Sequence, residues 1–142
     1  MKKHVILLIM SILLTFGALA QGQIIVEIKG VESDKGTIFI NLYQRAEGFP
    51  SDWSKAFKQI SIPATEGTMN YTFQNIPWGS YAISIAHDEN DNGTLDTNFI
   101  GMPKEPVGAS NQTRLGKPKF ERSRFEVNEN NKRKKIPMIF IN

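Results

Sequence analysis

Over residues 80–87 a set of large side chains, Tyr81, Ile83 and Ile85 followed by His87, alternates with Ala82, Ser84 and Ala86. Alternation with a period of two places one set of side chains on one face of a β-strand and the other set on the opposite face. The large set therefore faces a core. The small set implies close packing by something lying on the other face. Nothing elsewhere competes with this reading, because no segment sustains a 3.6-residue apolar period and no repeat recurs at a fixed spacing. The chain is constrained to an all-β fold.

The other segments agree. Ile24, Val26 and Ile28 alternate with Ile25, Glu27 and Lys29, and Ile38, Ile40 and Leu42 share a face after a turn at residues 33–36. The two runs are expected to pair as a hairpin, with Gly36 supplying a positive φ. Residues 44–57 break the alternation. A helical turn is expected at 50–57, capped by Ser51 or Asp52, with Trp53 and Phe57 on one side covering the core. Residues 58–64 and 68–74 read as two further strands, the second with Met69, Tyr71 and Phe73 on one face. Residues 75–79 read as a turn. After a long irregular tract at 97–119, residues 120–127 and 136–141 are expected to close the sheet as a hairpin. Its turn, 128–135, carries the basic run Lys132-Arg133-Lys134-Lys135, expected as a solvated tip that discourages edge pairing. Together these segments read as one all-β domain over residues 21–142.

Residues 1–20 read as an export signal. Lys2 and Lys3 precede an almost unbroken apolar run at 5–14, and Ala18-Leu19-Ala20 fits a small-x-small cleavage site. The apolar run is too short for a comfortable membrane span, so no span is expected after cleavage and the destination is periplasmic or extracellular. The chain has no cysteine. That removes disulfides, thiolate zinc sites and cysteine catalysis, and leaves stability to the core, which about 120 residues can supply.

Net charge does not suggest a nucleic-acid partner, and none is expected. Without Lys2 and Lys3 the chain has fifteen basic and fourteen acidic residues, which gives no argument for nucleic acid. The distribution is uneven, with five basic and ten acidic residues in 21–103, against ten and four in 104–142. An acidic loop and a basic tail either face each other or form opposite patches.

The acidic loop is His87-Asp88-Glu89-Asn90-Asp91-Asn92-Gly93-Thr94-Leu95-Asp96. Ca²⁺ takes six to eight oxygens, and a short loop can offer them from alternate positions if a glycine permits a sharp turn. With Asp88 as position one, Asn90 falls at three, Asn92 at five, Gly93 at six, Thr94 at seven through its carbonyl, and Asp96 at nine. This matches the first half of an EF-hand-type loop. Position twelve is Phe99, which supplies no carboxylate, and the flanks are not helical. A further ligand must come from water or from a later carboxylate, the nearest being Glu105. Calcium binding through Asp88, Asn90, Asn92, Thr94 and Asp96 is the expectation, at the weak end of affinity, about 10⁻⁴–10⁻³ M. The competing account is a solvated turn, since Asp, Asn and Gly also make turns.

Several motifs together resemble a known family. They are Ile76-Pro77-Trp78-Gly79-Ser80-Tyr81-Ala82, the run over 87–98, Gly101-Met102-Pro103-Lys104-Glu105, Gly108-Ala109-Ser110-Asn111 and Gly116-Lys117-Pro118-Lys119-Phe120. In this succession the chain resembles the secreted bacterial domain-of-unknown-function family 2141, across nearly all of residues 21–142. The resemblance implies a single small antiparallel β-sandwich of seven or eight strands with one long irregular loop, similar to transthyretin-like, carboxypeptidase-regulatory-like or Ig-like domains, and implies no activity.

Three functions follow. The first is a non-catalytic exported sandwich whose acidic loop and following tract form a binding or scaffolding surface for an envelope, protein or glycan partner. The second is a hydrolase using His87 and a loop carboxylate, with Ser110 and Glu105 later in the chain. Against it, Ser110 lies in no Gly-x-Ser-x-Gly elbow, and adjacent strand residues such as His87 and Asp88 point to opposite faces. The third is a carbohydrate binder using Trp53, Trp78, Tyr81 and the loop amides.

Overall fold

Eight strands form two facing sheets in a computed structural model that describes residues 20–114 and 116–141. The export signal expected over 1–20 lies outside the described residues, apart from Ala20. The strands are β1 (Gln21–Val31), β2 (Thr37–Tyr43), β3 (Lys58–Pro63), β4 (Gly67–Pro77), β5 (Gly79–Asp88), β6 (Val107–Ala109), β7 (Phe125–Val127) and β8 (Arg133–Ile139). One short helix, α1 (Phe120–Ser123), precedes β7. One sheet has the order β4-β1-β8 and the other β3-β2-β5-β6, with β7 also pairing β5.

The alternation translates directly into burial. Ile24, Val26 and Ile28 of β1, Ile38, Ile40 and Leu42 of β2, Tyr81, Ile83 and Ile85 of β5, and Ile136 and Met138 of β8 meet between the sheets. Each such side chain contributes roughly 1.5–3 kcal/mol relative to exposure.

Strand pairing departs from the expected hairpins. β1 and β2 do not pair, since β1 joins β4 and β8, whereas β2 joins β3 and β5. The turn at 33–36 carries the chain from one sheet to the other. Both strands bury one apolar face, so periodicity alone does not distinguish a hairpin from a crossover between facing sheets. The closing hairpin is also replaced. Residues 120–123 are helical, β7 pairs with β5, and β8 runs parallel to β1, so the fold is not wholly antiparallel. Of the expected turn at 75–79, residues 75–77 belong to β4, and only Trp78 separates β4 from β5.

The basic run is therefore no hairpin tip, since Arg133, Lys134 and Lys135 open the edge strand β8. They still guard that edge, with Pro137, which has no N–H to offer. Lys135 Nζ lies 2.5 Å and Lys29 Nζ 3.2 Å from the Glu27 carboxylate. Their hydrogen bonds, that from Lys135 first, hold its pKa below the usual carboxylate range.

The outer face of β2 and β5 bears Phe39, Asn41, Tyr43, Ala82, Ser84 and Ala86. The connection at 44–57 crosses it, and its helical turn at Trp53–Lys55 is capped by Asp52. Trp53 stacks on Phe39 at 4.6 Å, Phe49 meets Tyr43 edge-on at 5.3 Å, and the Pro50 carbonyl accepts from Tyr43 Oη (3.1 Å) and Ser84 Oγ (2.8 Å). Trp53 thus covers this second layer, while Phe57 stays exposed. The small residues of β5 make room for the strap.

The basic run at 132–135 and the acidic loop end up at opposite ends. Lys132 lies beside Gln23, where its carbonyl accepts from the Gln23 N–H, near the Pro77 end of β4. The acidic loop leaves the far end of β5, whose 10 residues span about 30 Å.

Candidate cation site at the end of β5

β5 ends in two buried polar residues, His87 and Asp88. In register with Ile38, His87 points into the core, where its ring lies 6.0 Å from that of Phe140. Its Nε2 is 2.7 Å from the Lys35 carbonyl, an acceptor only, so Nε2 carries the proton and donates it. Asp88 points to the other face. Gly36 fits against this junction, where an added Cβ would sit 1.9 Å from the Asp88 carbonyl oxygen, and its φ of 72° is left-handed.

The loop closes on its own carboxylates. Asp88 Oδ1 accepts from the Asn92 N–H (3.2 Å) and Oδ2 from the Gly93 N–H (2.7 Å). Asp91 and Gly93 have φ of 57° and 78°, a region that Asp and Gly tolerate best. Asn90 Oδ1 accepts from the Asn92 N–H (3.1 Å), and Asn92 Oδ1 accepts from the Thr94 N–H (2.9 Å) and hydroxyl (3.0 Å).

The side chains share a focus at Asp96. Asn90 Nδ2 donates to its Oδ2 at 2.6 Å and Asn92 Nδ2 to its Oδ1 at 3.0 Å. The Asp96 N–H donates to Glu105 Oε2 at 3.0 Å, and the Asp96 carbonyl accepts from the Lys104 N–H at 2.8 Å. Glu105 Oε1 is buried and has no hydrogen-bond partner. Thus Asn90, Asn92, Asp96 and Glu105 come together. Asp88 is spent on backbone amides, although each carboxylate oxygen keeps a second lone pair. Thr94 is tied to Asn92. Asp91, not singled out from the sequence, accepts from the Thr37 hydroxyl at 2.7 Å and anchors the loop to β2.

A cleft of about 460 Å³ opens here, lined by Ser33, Lys35, Glu89, Asn90, Asp96, Lys104 and Glu105. Two lysines and three acidic residues therefore line the cleft. Among the described residues no three His, Asp or Glu side chains converge tightly enough to hold a metal by themselves. A cation here must take amide and water oxygens as well.

The groups of the other two readings are dispersed. Ser110 is fully buried, its Oγ accepting from the Ile83 N–H (2.9 Å) and donating to the Ser123 carbonyl (2.7 Å). It packs β5 against α1, without contact to His87. Tyr81 is in the core and donates to the Pro77 carbonyl at 2.6 Å. Trp53 lies on the strap, and Trp78, 41% exposed, sits at the opposite end of β5 from the acidic loop.

A family model described as an uncharacterized protein conserved in bacteria (DUF2141) matches residues 26–135. Neither a curated protein nor a solved structure matches the chain. The match covers most of the chain, which belongs to this family.

Proposed function

From membership of a family whose description assigns no activity, and from the geometry at the end of β5, we propose that this chain is an exported, non-catalytic β-sandwich. Its acidic loop takes up Ca²⁺ to hold a binding surface in place. One observation carries this reading. Glu105 Oε1 is buried without a partner beside Asp96, whose carboxylate is ringed by the Asn90 and Asn92 side chains. A buried carboxylate oxygen left unpaired costs desolvation that a cation removes. Rotating each amide about its last bond replaces an N–H facing Asp96 with an oxygen, and turns a hydrogen-bonded ring into a ligand set. Asp96 and Glu105, the Asn90 and Asn92 amides, the free lone pairs of Asp88, the Thr94 carbonyl and water then supply the oxygens a hard cation wants.

The consequence is mechanical. Asp96 and Glu105 bracket residues 97–104, so an ion between them ties both ends of that segment to β5. Export is read from residues 1–20. The test is thermal melting with millimolar Ca²⁺ against chelator. The melting temperature is expected to rise with Ca²⁺ and to rise less with Mg²⁺, which demands tighter octahedral geometry. Superimposable curves would remove the reading.

A further inference from the structure

The segment bracketed by Asp96 and Glu105 ends in an apolar tip. Thr97 and Pro103 form an isolated bridge, and the chain reverses between them. The Asn98 N–H donates to the Met102 carbonyl (2.8 Å), and the Gly101 N–H donates to the Asn98 carbonyl (3.0 Å). Asn98 Oδ1 accepts from the N–H groups of Ile100 (3.0 Å) and Met102 (2.9 Å). Gly101, with φ 81°, completes the turn. The backbone needs no apolar side chain here, yet Phe99 is 99% exposed, Ile100 69% and Met102 56%. Among the described residues, the other large exposed apolar side chains, Phe57, Trp78 and Ile139, are near 40% and lie on strands or their ends.

The shape selects the occupant. Three side chains of roughly 200 Å² each expose on the order of 400 Å² in total. A stable protein interface needs about 800 Å² per partner. A narrow convex turn falls short of that, and it cannot form a concave pocket. A turn that projects an aromatic and two aliphatic side chains suits the boundary between lipid headgroups and acyl chains, where such groups settle. The charges at its base then set a condition. Asp96 and Glu105 sit at the stem, with Glu89 on the same cleft, and would repel lipid phosphates. A cation there reverses this, since phosphate oxygens can complete its coordination, and Lys35 and Lys104 add to the attraction.

We propose that residues 98–102 are a membrane-inserting tip. Phe99, Ile100 and Met102 enter an anionic phospholipid surface while Ca²⁺ at Asp96 and Glu105 bridges to lipid phosphate. This rests on the cation reading above. Sedimentation with vesicles of equal parts phosphatidylcholine and phosphatidylglycerol tests it, in millimolar Ca²⁺ or excess EGTA, alongside calorimetric Ca²⁺ titration without vesicles. The full chain is expected in the pellet with Ca²⁺ and in the supernatant with EGTA. Phe99→Ser with Ile100→Ser should weaken partitioning by at least about tenfold, because two side chains leave hydrocarbon. Melting temperature and Ca²⁺ affinity should stay unchanged. Phe99→Trp should bind like the parent and show a blue-shifted emission increment on vesicles. Ca²⁺ heat without vesicle binding would sink the lipid inference and leave the cation reading intact, whereas absence of both would sink both. Vesicle binding indifferent to the tip substitutions would also overturn the inference. So would a tip-dependent dimer or protein complex formed without lipid.

Discussion

Replacing Gly36 by alanine tests the junction that positions the acidic loop. An added Cβ would lie 1.9 Å from the Asp88 carbonyl oxygen and 2.8 Å from Glu89 Cα, both backbone atoms that no side-chain rotation can move aside. The residue also has φ 72°. Left-handed φ costs a non-glycine residue roughly 1–2 kcal/mol, and overpacking into a fixed neighbour typically about 1–3 kcal/mol. Gly36→Ala is therefore expected to destabilise by about 2–5 kcal/mol. Gly30 isolates one of these contributions, because its φ is 74° and nothing lies within 4 Å of its added Cβ. Gly30→Ala should cost only the conformational part, about 1–2 kcal/mol. Urea unfolding of both variants, with midpoints compared at unchanged slope, reads the difference directly. Equal losses would mean that the turn at 33–36 does not press on Asp88, and the account of how the loop is seated would fail.

Two further predictions probe the readings set aside and the strap. Ser110→Ala should cost about 1–3 kcal/mol, since it leaves the buried Ile83 N–H without its acceptor, while the Ser123 carbonyl keeps the Asn111 amide; a hydrolytic activity lost with no change in the denaturation midpoint would revive catalysis. Burial, together with the nearby Asp52 charge, pushes the Tyr43 phenol up to about 12, against an opposing hydrogen bond with Ser84. Because the folded-state value lies above the ordinary one, Tyr43 contributes stability fully below pH about 10 and loses it as pH rises through about 12. Phenolate absorbance in Tyr43→Phe against the parent checks this, and a Tyr43 titrating with exposed phenols would refute the packing of the strap.

How much of this was legible follows from what each signal measures. Alternation reports which side chains of a strand are buried, so the inward sets of β1, β2, β4 and β5 were readable from Ile24, Ile38, Phe73 and Ile83. It carries no record of partners. A hairpin between β1 and β2 and a crossover between two sheets bury the same residues, and nothing local marks β8 as parallel to β1. Residues 120–123 showed strand-like composition but fold as a helix, because Phe120 packs against Phe49 beneath the strap, a tertiary contact that overrides local preference. At the site, residue types and the spacing from Asp88 to Asp96 marked out the loop, but of the five expected ligands only Asn90 and Asn92 meet Asp96, while Asp88 and Thr94 bond elsewhere within the loop. Asp88 turns toward Asn92 and Gly93 within the loop itself, whereas bringing Glu105 to Asp96 depends on how the chain returns from the tip at 98–102, and that is set by the fold. Exposure of Phe99, Ile100 and Met102 was invisible for the same reason.

Isothermal titration of Ca²⁺ into the parent chain and into Asp96→Asn bears most directly on the cation site. Asp96→Asn keeps the shape and removes the charge on which Asn90 and Asn92 converge. The parent should bind one ion with Kd about 10⁻⁴–10⁻³ M, and at ten times that concentration gain about 1.4 kcal/mol of stability. Asp96→Asn should weaken binding at least about tenfold. Equal binding by both chains, or no binding by the parent at millimolar Ca²⁺, would contradict it.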